Sequence, residues 1–244
     1  MPMLTLENIT VTVTDEDSRP RNILDGVSFS VAPDSFFVIT GPNGGGKSTL
    51  AKVIMGIQSP SAGRIIFNGQ DITGLGVTER ARLGIGFAFQ QPVRFKGISV
   101  QDLLSFAAGR ELGVDEACGI LSDVGMCAND YVSRELNGTL SGGEMKRIEI
   151  ATLLARGTLL SIFDEPEAGI DLWSFQNLIL VFQKIKNARK GAAVIISHQE
   201  RILDVADTVV VLRQGKIAHI GPRDKILPSL ALGMATCDRI RERL

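Results

Sequence analysis

The run Gly41-Pro-Asn-Gly-Gly-Gly-Lys-Ser-Thr49 restricts this chain more than any other stretch. It fits the spacing GxxxxGK[ST] at Gly41, Gly46, Lys47 and Ser48, follows an apolar strand-like run at 36–40, and opens a helical stretch at 48–57. Glycine lets successive backbone N–H groups turn inward around an anion without Cβ clashes. A helix N-terminus directs partial positive charge at the same point. The pattern predicts a phosphate cradle made of Gly41, Pro42, Asn43, Gly44, Gly45, Gly46, Lys47, Ser48 and Thr49. Lys47 is expected at the β- and γ-phosphates and the Ser48 hydroxyl on Mg2+. Thr49 is expected beside the α- and β-phosphates.

Such a loop needs a sheet beneath it. Strand texture recurs at 4–13, 23–31, 64–67, 159–163, 192–196 and 208–212, and helical spacing at 100–125, 144–155 and 172–188. This alternation predicts an α/β core with a largely parallel sheet and a helical insertion in its middle. A hydrophobic share of 44% supplies the core. The net charge of -1, with scattered basic residues, argues against nucleic acid as a partner. No apolar run approaches the roughly 20 residues that span a bilayer, so no direct membrane insertion is expected. The N-terminus has no signal-peptide pattern, which points to the cytoplasm. Cys118, Cys127 and Cys237 form no CxxC and only two histidines accompany them, so reduced thiols are expected rather than zinc ligands.

A phosphate loop that holds a metal needs a second carboxylate. The apolar run 159–163 ends in Asp164-Glu165, about 115 residues after Thr49. Asp164 is expected to hold Mg2+ through water, and Glu165, pointing the other way, to polarise an attacking water. A second glycine pair occurs in Leu140-Ser-Gly-Gly-Glu144, at the start of a helical stretch and so at another anion-binding helix end.

This last motif resembles the signature of the ABC (ATP-binding cassette) ATPases, and the likeness covers residues 4 to about 222. The resemblance implies ATP and Mg2+ as cofactors and ATP hydrolysis as the reaction. It implies a P-loop NTPase core with a parallel-sheet catalytic subdomain, an N-terminal antiparallel β subdomain and an inserted α-helical subdomain. The expected divisions are 1–90 (β subdomain and P-loop), 91–146 (helical and signature subdomain), 147–223 (rest of the core) and 224–244 (helical tail). Ser141, Gly142, Gly143 and Glu144 of one chain would face the phosphate loop of another, in an ATP-dependent head-to-tail homodimer. Gln90 matches the Q-loop, which senses the γ-phosphate and touches the metal. Asp171 matches the D-loop, which crosses the dimer interface. His198, 33 residues past Glu165, matches the switch histidine on the γ-phosphate. The aromatic residue that often stacks on adenine near Val11–Val13 is missing.

Within the family, Ser141-Gly-Gly-Glu-Met-Lys-Arg-Ile-Glu149 looks like the SufC type, the ATPase of iron–sulfur cluster assembly. So do Phe87-Ala-Phe-Gln-Gln-Pro-Val93 and Gly169. The partners then implied are Suf-type scaffold proteins (SufB/SufD-like). The alternative is the ATP-binding subunit of a membrane transporter. Val93 and Phe95 either pack on the helical subdomain or receive the scaffold. One local expectation concerns Lys146. The helix 144–155 rises about 18 Å and the strand 158–164 returns about 20 Å, which brings Lys146 and Glu165 to one level. Lys146 then either pairs with Glu165 as a brake on catalysis or stays solvated on the helix.

Overall fold

The computed structural model describes residues 1–14, 19–91, 95–136, 139–188 and 191–228. Of the helical tail expected over 224–244, residues 224–228 are described and helical; the remainder lies outside the described residues, as do Val93, Cys237 and part of the turn at 15–21.

The described residues form two sheets. The smaller runs in the order β2 (Pro20–Val31), β1 (Leu4–Thr14), β4 (Ala62–Phe67) and β5 (Gln70–Asp71), all antiparallel. Its strands alternate buried and exposed positions, as a sheet with one dry face must. The larger runs β10 (Lys216–Pro222), β9 (Thr208–Arg213), β3 (Phe36–Thr40), β8 (Ala192–Ile196), β7 (Leu160–Asp164) and β6 (Ile85–Ala88). It is parallel except where β10 turns back on β9. β3 and β8 are buried at every position and read as unbroken apolar runs, the mark of strands covered on both faces.

Helix α1 (Lys47–Met55) buries Leu50, Ala51, Val53 and Ile54 in the core between the two sheets. The opposite face of the large sheet is covered by α6 (Gly142–Arg156) and α7 (Leu172–Ala188), with Phe163, Leu178 and Phe182 in that core. The helical insertion comprises α3 (Val100–Ala108), α4 (Val114–Asp123) and the short α5 (Ala128–Tyr131). The helical run expected over 100–125 is therefore two helices: Gly109 ends α3 in the left-handed region, at φ 69. Helix α2 (Val77–Arg82), α8 (Glu200–Leu203), β5, β6 and β10 are additions to the sequence reading. Among the described residues no helix is long and apolar enough to cross a membrane.

Candidate active site

Register brings the predicted residues to one edge. Ile39 of β3 pairs with Ile196 of β8, Ile196 with Asp164 of β7, and Phe163 with Ala88 of β6. These parallel strands therefore end at one level, and the loops that leave them line the carboxyl edge of the sheet, where open α/β sheets bind ligands. After β3 comes the phosphate loop, after β7 Glu165, after β8 Ser197 and His198, and after β6 Phe89 and Gln90.

Two glycines of the loop are forced by crowding. A Cβ on Gly41, at φ 138, would stand 2.0 Å from the carbonyl oxygen of Leu212. A Cβ on Gly46, at φ 99, would stand 2.8 Å from that of Ile23. The loop is thus pressed against the end of β9 and against β2, and only glycine fits there. Lys47 is buried and folds back over the loop, its Nζ donating to Gly41 O at 2.9 Å and Pro42 O at 3.1 Å. Ser48 Oγ donates to Asp164 Oδ1 at 3.0 Å, joining α1 to β7. Burial raises the Asp164 carboxyl above its ordinary range; the Ser48 hydrogen bond and Lys52 pull it down, and Glu165 pushes it up.

Glu165 leaves the strand by a left-handed step, at φ 46, with its N–H on Ile196 O at 3.0 Å. Its Oε2 accepts from Gln90 Nε2 at 2.9 Å. Glu167, which the sequence places at the start of the D-loop without a role, takes a hydrogen bond on Oε1 from Ser197 Oγ beside His198. Burial raises its carboxyl, while Ser197 and His198 lower it. His198 itself is exposed.

The signature lies apart from this row. Ser141 caps α6: its Oγ accepts from Glu144 N at 3.2 Å, and Glu144 Oε2 accepts from Ser141 N at 2.6 Å. This S-x-x-E capping box, with Tyr131 Oη also donating to Glu144, commits the Glu144 carboxylate within its own chain. Ser141 and Gly142 are exposed. Gly143 is buried, and a Cβ there would stand 2.4 Å from Ser174 Oγ. Asp171 caps α7, accepting from the N–H groups of Trp173 and Ser174 and from Ser174 Oγ, which holds its carboxyl below the usual range. Among the described residues no hydrogen bond joins Ser141–Glu144 to the phosphate loop.

The Lys146–Glu165 pair does not form, and Lys146 is not solvated either. Its side chain is 4% exposed, and Nζ donates to Phe89 O at 2.5 Å. Equal height on helix and strand places the residue at the right level, but the rotation of the helix aims Lys146 at the end of β6 instead. Beside that end lies a groove of about 460 Å3 lined by Phe87, Phe89, Phe95, Phe106 and Met145. Phe95 is 38% exposed and Phe106 72%.

Residues 24–168 match the family model described as ABC transporter. The chain is 40% identical over 210 residues to an uncharacterized ABC transporter ATP-binding protein of Methanocaldococcus jannaschii, covering 82% of this chain and 83% of that one. It is 36% identical over 217 residues to the probable ATP-dependent transporter ycf16 of Pyropia yezoensis, covering 82% and 85%. Among solved structures it is similar to a nucleotide-free ATP-binding cassette from an ABC transporter, with a TM-score of 0.76, 28% identity and coverage of 94% and 96%. A dimeric cassette bound to ADP and Pi shares the fold at a TM-score of 0.79 and 20% identity, over 91% of this chain and 99% of that one. With the phosphate loop, the carboxylate pair and the capped signature helix in one α/β cassette, the chain belongs to the ABC transporter family and is an ATPase that binds and hydrolyses ATP.

Proposed function

We propose that two copies of this chain close head to tail around Mg-ATP, and that hydrolysis drives a conformational change in a Suf-type iron–sulfur cluster assembly scaffold. The observation that carries the catalytic part is the meeting of Ser48, Asp164, Glu165 and Gln90 at one sheet edge. In this reading Gly41–Thr49 cradle the phosphates and Lys47 swings from its two carbonyls to the β- and γ-phosphates. The hydroxyl of Ser48 and, through water, the carboxylate of Asp164 would hold Mg2+, with the side-chain oxygen of Gln90 as a further donor; the Ser48 and Asp164 oxygens stand 3.0 Å apart, and all are the hard donors this ion takes. An ion held by these residues would supply charge neutralisation to the transferring phosphoryl group. Glu165 orients the attacking water and His198 contacts the γ-phosphate.

The signature supports the dimer. Its exposed Ser141 and Gly142 sit beside the α7 N-terminus and hydrogen-bond to nothing in their own phosphate loop. Two anion-binding loops that do not meet within a chain are able to share one nucleotide across two chains. Asp171, Ser141, Gly142, Gly143 and Glu144 then form the interface side of the site.

The Suf assignment rests on the sequence likeness of residues 141–149, of residues 87–93 and of Gly169. A scaffold segment fits the aromatic groove beside Gln90, where Phe95 and Phe106 are exposed. The names of the relatives favour a second reading, service to a membrane transporter through the same groove. Glu165→Gln tests the catalytic part: it is expected to bind Mg-ATP, lose hydrolysis and accumulate as a dimer in light scattering. Trp173, the chain's single tryptophan, is 75% exposed two residues past Asp171, and its emission should shift to the blue as that dimer forms. A monomer under saturating Mg-ATP would refute the sandwich. An affinity pull-down that recovers a permease and no scaffold would decide for transport.

A further inference from the structure

Phe89 lies one residue past β6, the edge strand of the large sheet, so its main chain has left the ladder. Both of its main-chain polar groups are nonetheless taken, each by a charged side chain of α6. Phe89 N donates to Glu149 Oε1 at 2.8 Å, and Lys146 Nζ donates to Phe89 O at 2.5 Å. The two side chains are 15% and 4% exposed. Their charged atoms stand 3.9 Å apart, beyond hydrogen-bond reach, and Glu149 Oε2 is buried with no hydrogen-bond partner among the described residues. Buried opposite charges gain most by closing on each other. Here they are held open around the main chain of a residue that is itself 42% exposed. Tying down a strand end needs no buried charge, since any neutral donor and acceptor serve.

The next residue explains the arrangement. Gln90 comes directly after Phe89, and its Nε2 holds Glu165 Oε2 at 2.9 Å. We propose that Lys146 and Glu149 are positioning residues for ATP hydrolysis: together they clamp the main chain of Phe89, and so fix Gln90 and the carboxylate it holds. The inference rests on the roles proposed for Gln90 and Glu165. It also links three parts of the molecule. The clamp stands on α6, whose first residues are the signature glycines, and the ring of Phe89 lines the aromatic groove. A partner that displaces this ring loads the same two hydrogen bonds that set Gln90.

Steady-state hydrolysis by the full chain tests this. Glu149→Ala removes the acceptor and is expected to lower kcat roughly tenfold with KM for Mg-ATP changed less than about twofold, the scale of one charge-assisted hydrogen bond felt only at the reacting centre. Glu149→Gln, which keeps an acceptor oxygen, should recover most of the rate. In a Gln90→Ala background Glu149→Ala should cost nothing further, because the path runs through Gln90. A folded Glu149→Ala protein with parental kcat, or one whose effect adds in full to that of Gln90→Ala, overturns the proposal. If Glu149→Ala does not fold, Lys146→Met takes its place, with the same expected loss and the same dependence on Gln90. Glu165→Gln run alongside separates the two levels. Retained hydrolysis there strikes the assignment of Glu165 itself, whereas lost hydrolysis there with an unaffected clamp variant strikes only the clamp.

Discussion

Glu149→Gln should make the protein more stable at neutral pH while leaving its fold unchanged. Burial holds the Glu149 carboxyl up at about 6, from an ordinary 4.5, against the Phe89 amide and the charge of Lys146, which both lower it. The unfolded chain releases this proton near 4.5 and the folded chain near 6, so between those values the folded state binds more protons. Stability therefore falls as pH rises through that window. Below about 4.5 the group costs nothing. Above about 6 it costs the full difference, about 2 kcal/mol at 1.36 kcal/mol per pH unit. An amide in its place has no charge to bury and keeps an oxygen for the Phe89 N–H. In a chain of this size 1 kcal/mol moves Tm by about 2–4 °C, which gives an expected gain of about 4–8 °C at pH 8. Burial also raises the carboxyls of Asp164 and Glu167, so each protein has its own pH slope. The difference between variant and parent isolates Glu149. Thermal unfolding of both, from pH 5 to pH 8, reads it directly, and the gain should shrink by more than half at pH 5. A gap that does not change with pH, or a variant less stable than the parent at pH 8, would refute the reasoning.

Lys47→Ala should lower phosphate release by at least about a hundredfold, because an ammonium is lost where transition-state charge develops; undiminished release would show the site misplaced. Gly143→Ala should suppress hydrolysis by pushing the signature helix off α7, since the new Cβ would meet Ser174 Oγ at 2.4 Å and Ser174 Cβ at 2.5 Å. Ser174→Gly in the same chain should restore part of the rate, and a Gly143→Ala protein as active as the parent would show that this contact does not set the signature.

The features legible in the sequence are local. The phosphate loop, the strand ending in Asp164-Glu165 and the signature each carry their meaning in a few consecutive residues, and β3, β7 and β8 are apolar runs of strand length. β10 escapes because an outer strand with five of seven positions exposed shows no alternation. β6 escapes because it is four residues with a glycine inside. The Lys146 expectation fails for a different reason. Rise per residue fixes height along a helix or strand, but contact also needs direction, and successive helix residues turn by about 100°. Height places Lys146 correctly relative to the sheet edge, and azimuth sends it to Phe89.

Asp164 and Glu165 show why direction matters most at this site. They are consecutive, yet one is buried against Ser48 and the other reaches Gln90. A regular strand would alternate them across the sheet. The left-handed step at Glu165 adds a turn that a non-glycine residue makes only at a cost of about 1–3 kcal/mol, so neighbouring structure must hold it. Its main chain is held by hydrogen bonds from its N–H to Ile196 O and from Ala168 N–H to its carbonyl, and its carboxylate by Gln90. The bond to Ile196 belongs to the sheet and is fixed by register. The bond to the carboxylate depends on where Gln90 stands, and Gln90 stands where Phe89 is clamped. The carboxylate expected to orient water is therefore placed by a strained backbone on one side and by two buried charges of the signature helix on the other. That division leaves Asp164, the proposed metal-binding member of the pair, to the sheet, and Glu165, the proposed water-orienting member, to elements that a partner in the groove is able to move.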